Sequence, residues 1–150
     1  MSLKMKWIFG ILTLVFIVLG LGLSVFFMPD RFIQATKQSE IDRIMRSKGY
    51  LKEDTVIVFY QPNCADCRKV GLNILLQESA NRSSKFLNID TQKFNNRKYL
   101  NEFYITNTPT IVRFNHGNER IYSGTSKTEI NRIMRKNIII DKHGEVNIND

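Results

Sequence analysis

The sequence predicts an α/β domain tethered behind an N-terminal transmembrane helix, and three observations carry that reading. The first is an uncharged stretch of 22 residues from Trp7 to Met28. The second is a set of short β-branched and aromatic runs alternating with segments of helical periodicity, the rhythm of βαβ units. The third is the resulting order after the apolar stretch: α, β, α, β, α, β, β, α. Composition agrees, since 150 residues with 43% apolar and 24% charged side chains can build one core and exclude a disordered, collagenous or polytopic chain.

The apolar stretch would extend roughly 33 Å as a helix, enough for a bilayer core. Lys4 and Lys6 precede it, Pro29-Asp30-Arg31 follow it, and Trp7 and Phe26-Phe27 lie near its ends, where interfacial aromatics are favoured. Gly20, Gly22 and Ser24 imitate a signal-peptide cleavage site, but the apolar run continues past them to Met28 and is too long for the core of a cleaved signal. Arg31, Lys37, Arg43, Arg46 and Lys48 follow the span, so bare positive-inside counting points the C-terminal part toward the cytoplasm. That rule weakens for long folded domains, and a six-residue tail with two lysines is easily retained inside. The expected organisation is a tail over 1–6, an anchor over 7–28, a linker over 29–38, a domain over 39–136 facing the extracytoplasmic side, and an extension over 137–150.

Within the domain, Ile41, Ile44 and Met45 recur at helical spacing behind Ser39 as N-cap, with Gly49 as the stop. Thr55 to Tyr60 is a continuous apolar, β-branched and aromatic run, the pattern of a strand buried on both faces. Val70, Ile74 and Leu75 place a helix over 67–77, Lys85 to Ile89 a second strand, and Tyr99, Leu100 and Phe103 a short helix over 94–103. Thr110 to Phe114 and Arg120 to Tyr122 flank Asn115-His-Gly-Asn118 as a hairpin. Ser126-Lys-Thr-Glu129 is a capping-box pattern opening a last helix through Ile130, Ile133 and Met134. Residues 138–150 read either as a short hairpin around His143-Gly144 or as a loose tail.

The formal charge of +8 is spread thinly, with no basic run longer than a pair such as Arg68-Lys69, which argues against a nucleic-acid arm. The two cysteines, Cys64 and Cys67, exclude a multi-bridge scaffold and confine any thiol chemistry to one place. Two cysteines separated by two residues at a helix start can close a disulfide within one turn, and the unpaired N–H groups there favour the thiolate of the first. Cys64 is therefore the expected nucleophile and Cys67 the resolving thiol. Zinc is the metal alternative, but His116 and His143 show no paired ligand spacing, so no metal or cofactor is expected. A buried structural pair is the other alternative, and the polar neighbours Asn63 and Asp66 argue against it.

Taken together, residues 39–136 resemble the thioredoxin superfamily. The resemblance rests on Val56-Ile-Val-Phe-Tyr60 before the C-x-x-C, Phe86-Leu-Asn-Ile-Asp90 as the next strand, Thr108-Pro109-Thr110, and the Asn115-His-Gly hairpin with Gly124 beyond it. It implies a three-layer sandwich, a cis Thr108–Pro109 bond against the cysteines, and substrate binding by the backbone at Thr108 and Pro109. Departures from the pattern concentrate around the cysteines. Asn63 replaces a common tryptophan, Ala65-Asp66 a glycine-proline pair, Val58 a buried acid that would help the second cysteine ionise, and Leu72, next to Gly71, a helix-kinking proline. Asn63, Ala65 and Asp66 are thus the residues expected to tune the pair. Asp66 either assists Cys67 or is simply a first-turn acid of the helix.

The function expected from all this is a membrane-anchored thiol–disulfide oxidoreductase acting on exported proteins or peptides, drawing on a membrane electron donor if it works as a reductase. Similar layouts occur among accessory proteins of bacteriocin export and other secretion systems of Gram-positive bacteria. The alternative is an interaction module of such a system with little redox turnover.

Overall fold

The structure is a computed structural model that describes residues 3–26, 33–135, 138–140 and 146–148. It divides into two compact units, Met1–Arg31 and Phe32–Asp150. Among its described residues the first is one helix, α1 (Leu3–Phe26). Its described side chains are Trp7 and those of residues 10–22, where large apolar groups such as Leu14 and Phe16 are exposed. Among the described residues no helix is long and apolar enough to cross a membrane, so the transmembrane helix expected over 7–28 is not found in the structure.

The second unit follows the expected order: α2 (Gln38–Arg46), β1 (Thr55–Tyr60), α3 (Ala65–Ala80), β2 (Lys85–Asp90), α4 (Arg97–Glu102), β3 (Thr110–Asn115), β4 (Asn118–Ser123) and α5 (Lys127–Met134). The strands form one mixed sheet in the order β2-β1-β3-β4, with β1 parallel to β2 and antiparallel to β3. Central placement explains why β1 carries apolar residues without alternation from Val56 to Tyr60, since all six of its residues are buried.

Alternate residues of β1 serve two different cores. Ile57 and Phe59 meet Leu87, Ile89, Val112 and Phe114, covered by Ile41, Ile44 and Met45 of α2 and Tyr99 of α4. Val56, Val58 and Tyr60 meet Ile111, covered by Val70 and Ile74 of α3 and Ile130, Ile133 and Met134 of α5. Two helices on each face of a sheet make the three-layer sandwich.

Local details correct parts of the sequence reading. Ser39 does not cap α2: the helix begins at Gln38, with Lys37 in the N-cap position, two residues earlier, and no side-chain cap. Nor does Gly49 stop it. Ser47 ends α2, Lys48 takes the left-handed conformation (φ 49°) that the sequence assigned to the glycine, and Gly49–Leu51 form a 3₁₀ turn. The helix expected over 94–103 is a 3₁₀ turn, Phe94–Asn96, running into α4. Ser126 caps α5 as read, its hydroxyl accepting from the Glu129 N–H, but the capping box is only half made: the Ser126 N–H donates to the Tyr122 hydroxyl at 2.9 Å and the Glu129 carboxylate pairs with Arg132. The β3–β4 turn places His116 and Gly117 at φ 48° and 84°, the left-handed pair that a two-residue hairpin loop requires.

In the extension, β5 (Ile138–Ile140) pairs antiparallel with β6 (Val146–Ile148). The expected turn at His143-Gly144 lies outside the described residues.

Candidate functional site

Strand β1 delivers the chain to the site at its C-terminal end. The turn after Tyr60 is closed by the Cys64 N–H donating to the Gln61 carbonyl at 3.1 Å. Cys64 then occupies the N-cap of α3 in extended conformation (φ −80°, ψ 124°), and its sulfur accepts from the Cys67 N–H at 3.4 Å. A sulfur thus takes the capping role usually filled by a serine or aspartate oxygen, facing the unpaired N–H groups of a long helix.

The second wall comes from the start of β3. Thr108–Pro109 is a cis peptide bond, Pro109 is buried, and the Gly124 N–H donates to the Pro109 carbonyl at 3.1 Å. The Cys64 thiol donates to the Thr108 carbonyl at 3.6 Å. The structure therefore brings Cys64, Cys67, Thr108 and Pro109 together from segments 44 residues apart in sequence.

Both cysteines are free thiols, Cys64 half-buried and Cys67 buried against Val70, Ile74 and Ile111. Burial pushes the Cys64 thiol up, but hydrogen bonds from the backbone and side chain of Cys67, from Thr108 and from the Asp66 backbone together hold it below the ordinary thiol value. Burial pushes Cys67 up to about 11; the Gln61 backbone opposes that shift and the Cys64 sulfur adds to it. One thiol is prepared to ionise first and the other is held protonated, which is the division of labour that sequential thiol–disulfide exchange requires.

Of the three residues expected to tune the pair, only Asp66 is among the groups that shift either thiol. Asp66 contributes its backbone N–H to the Cys64 sulfur, while its carboxylate is exposed and paired with Lys69 at 2.7 Å. It is a first-turn acid held away from Cys67. Asn63 is exposed and contributes its carbonyl, which accepts from the Arg68 guanidinium at 3.5 Å. Ala65 is an exposed first residue of α3. Val58 is fully buried between Asn88 and Ile111, and no carboxylate is among the groups that shift Cys67.

Tyr60 is the residue that sequence reasoning counted only as strand. It is buried beside the pair, its hydroxyl pushed up to about 12 by burial, by Asp90 and by Cys67. Its position as the last strand residue before the C-x-x-C turn is the signal that could have found it. His116 sits at the hairpin turn, and among the described residues no group of three or more His, Cys, Asp or Glu side chains could hold a metal ion.

This geometry agrees with comparison to known proteins. The thioredoxin family profile matches residues 33–136. The chain belongs to the thioredoxin family. No curated protein matches the sequence. Among solved structures, thioredoxin O1 from Arabidopsis thaliana in the oxidized state is 20% identical with a TM-score of 0.56, covering 65% of this chain and 89% of its own. Thioredoxin O2 from the same plant is 17% identical at 0.57, covering 71% and 94%. Fasciola hepatica thioredoxin is 19% identical at 0.54, covering 63% and 90%. At these identities the structural likeness speaks to the fold, and the family assignment supports a thiol–disulfide oxidoreductase class.

Proposed function

We propose that this thioredoxin-family chain is a membrane-tethered thiol–disulfide oxidoreductase whose domain faces the extracytoplasmic side and exchanges disulfides with exported proteins or peptides. The observation that carries the chemistry is the Cys64 sulfur, placed at the α3 N-cap and against the Thr108 carbonyl. Ionised Cys64 attacks one sulfur of a partner disulfide, whose other sulfur leaves as a thiolate. Cys67 then loses its proton and attacks the Cys64 sulfur of the mixed disulfide, releasing the partner as a dithiol. The partner gains two electrons and the Cys64–Cys67 pair loses them; the reverse sequence oxidises a dithiol. A thiolate cannot donate, so ionisation of Cys64 also frees the Thr108 carbonyl to accept from the backbone N–H of an extended partner strand.

Anchoring is argued from the uncharged residues 7–28, and orientation from the short two-lysine tail before them. Insulin reduction by the full chain in nonionic detergent tests the chemistry. Turnover is expected for the wild type and is lost in Cys64→Ala; turnover that survives the substitution rules the assignment out. Labelling of Cys64 in intact cells by a membrane-impermeant thiol reagent tests the orientation, and resistance of the chain to carbonate extraction tests the anchor.

A second reading has its own observation. Buried Val58 leaves Cys67 without a carboxylate to take its proton, which slows resolution and favours an accessory module of a bacteriocin export or other secretion system in Gram-positive bacteria. Under that reading Cys64 is alkylated readily while insulin turnover stays near background.

A further inference from the structure

The sheet has a second feature, away from the cysteines, that the redox reading does not use. Between β4 and α5 lies a concavity of about 290 Å3 lined by Arg120, Ile121, Tyr122, Glu129, Arg132 and Ile133. Its charges are unevenly matched. Beneath it, fully buried Arg113 is satisfied, donating from Nε and Nη2 to the two carboxylate oxygens of Asp54 at 3.0 and 2.7 Å and from Nη1 to the Ile133 carbonyl. Arg132 is paired with Glu129 at 3.6 Å. Arg120 lies opposite Arg113 in the β3–β4 register and is half-buried, and among the described residues it has no hydrogen-bond or ion-pair partner. Burial and the charges of Arg113 and Arg132 disfavour its cation, and the Asp54 carboxylate, already bonded to Arg113, offsets them only in part. A partly desolvated guanidinium crowded by two others is an acceptor-seeking group.

The backbone beside it is equally open. In the sheet order β4 is an edge, and among the described residues no strand pairs with its outer side. Asn115 and Asn118 close the two-residue turn, so hydrogen-bonded and non-bonded pairs alternate from there. Arg120 therefore exchanges its backbone bonds with Arg113, while the N–H and C=O groups of Glu119, Ile121 and Ser123 point outward. The Glu119 and Ile121 side chains lie on the opposite sheet face from Arg120, and Ile121 is 54% exposed.

We propose that this edge takes an extended peptide strand of a partner carrying an acidic side chain, its backbone pairing with Glu119, Ile121 and Ser123 and its carboxylate bonding to Arg120. An exposed sheet edge supplies affinity for any extended chain, and the unmatched guanidinium selects the acidic one.

The test is fluorescence polarisation of the full chain in nonionic detergent with a fluorescein-labelled pentapeptide, valine and threonine alternating around a central glutamate. A twin peptide with glutamine at the centre serves as comparison. The expected result is saturable binding that weakens roughly tenfold for the glutamine peptide and by a similar factor for Arg120→Gln. Ile121→Pro, which removes an outward N–H at an edge position where proline is tolerated, should abolish binding while leaving the far-UV circular dichroism unchanged, so the outcome does not depend on Arg120→Gln folding. Equal binding of the two peptides overturns the proposal, as do absence of binding at millimolar protein and insensitivity to Ile121→Pro. Free glutarate binding Arg120 with no peptide binding also overturns it, by showing a small-anion site instead.

Discussion

The two faces of the sheet are built from different materials. On one, Tyr50, Phe59, Phe103 and Phe114 contact one another with ring centroids 4.8 to 5.9 Å apart, sealed by α2 and α4. On the other, under α3 and α5, lie both cysteines, Tyr60, and the Arg113–Asp54 pair. The aromatic face is held by area and ring geometry, which tolerate small displacements. The other face holds groups whose energies depend on hydrogen-bond partners and on burial, and it is the face that carries the chemistry.

The comparison breaks most visibly at the ion pair. Asp54 also accepts from the Ser84 hydroxyl at 2.6 Å, so Asp54→Asn or Arg113→Ala leaves buried polar groups unmatched and should cost about 3–5 kcal/mol in urea unfolding. Replacing both partners with apolar residues of similar volume should cost much less, a non-additivity that a double-mutant cycle measures directly. On the aromatic face, Phe59→Ala should destabilise by a comparable ~3–5 kcal/mol, and there combination with Phe103→Ala should show coupling limited to the shared ring contact.

The thiols sharpen the contrast in pH dependence. Because Cys64 is held below and Cys67 raised above the ordinary thiol value, iodoacetamide should alkylate Cys64 with a midpoint below that of a free thiol, whereas Cys67 in Cys64→Ala should react only as pH approaches the higher value. The sign for stability of the dithiol form follows. The raised Cys67 value stabilises the fold below the unfolded thiol pKa, and that contribution is lost as pH rises toward about 11. The depressed Cys64 value stabilises it above the unfolded pKa and is lost as pH falls through the folded one. Ser126→Ala, which removes the hydroxyl accepting from Glu129 N–H, should have the smallest effect, about 1 kcal/mol or less, because that cap is exposed.

Periodic features of this chain were readable without a structure. Five consecutive apolar residues after Thr55 marked β1 as central, and the C-x-x-C ahead of Val70 and Ile74 placed the sulfurs at a helix start. Thr108 and Pro109 were reachable only through family resemblance, since nothing local to them announces a partner 44 residues away. Arg113 was invisible for the same reason: it reads as one charge within an apolar strand, and its carboxylate lies 59 residues distant. The misplaced α2 stop at Gly49 has another cause. Sequence reading gives the left-handed residue to the glycine because glycine adopts it without strain, whereas here Lys48 adopts it and the glycine opens the next turn. Asp66 shows a third kind of failure, a residue judged by its side chain that acts through its amide.

Thr36 has a consequence for how these molecules can meet. Its N–H donates to the Asn88 carbonyl and its hydroxyl accepts from the Asn88 N–H, so both outward backbone groups at the middle of β2 are already occupied. The β4 margin is open along its length while the β2 margin is occupied at its centre, so copies that meet strand to strand are expected to join through β4, and a further copy would find the middle residue of the remaining rim already bonded.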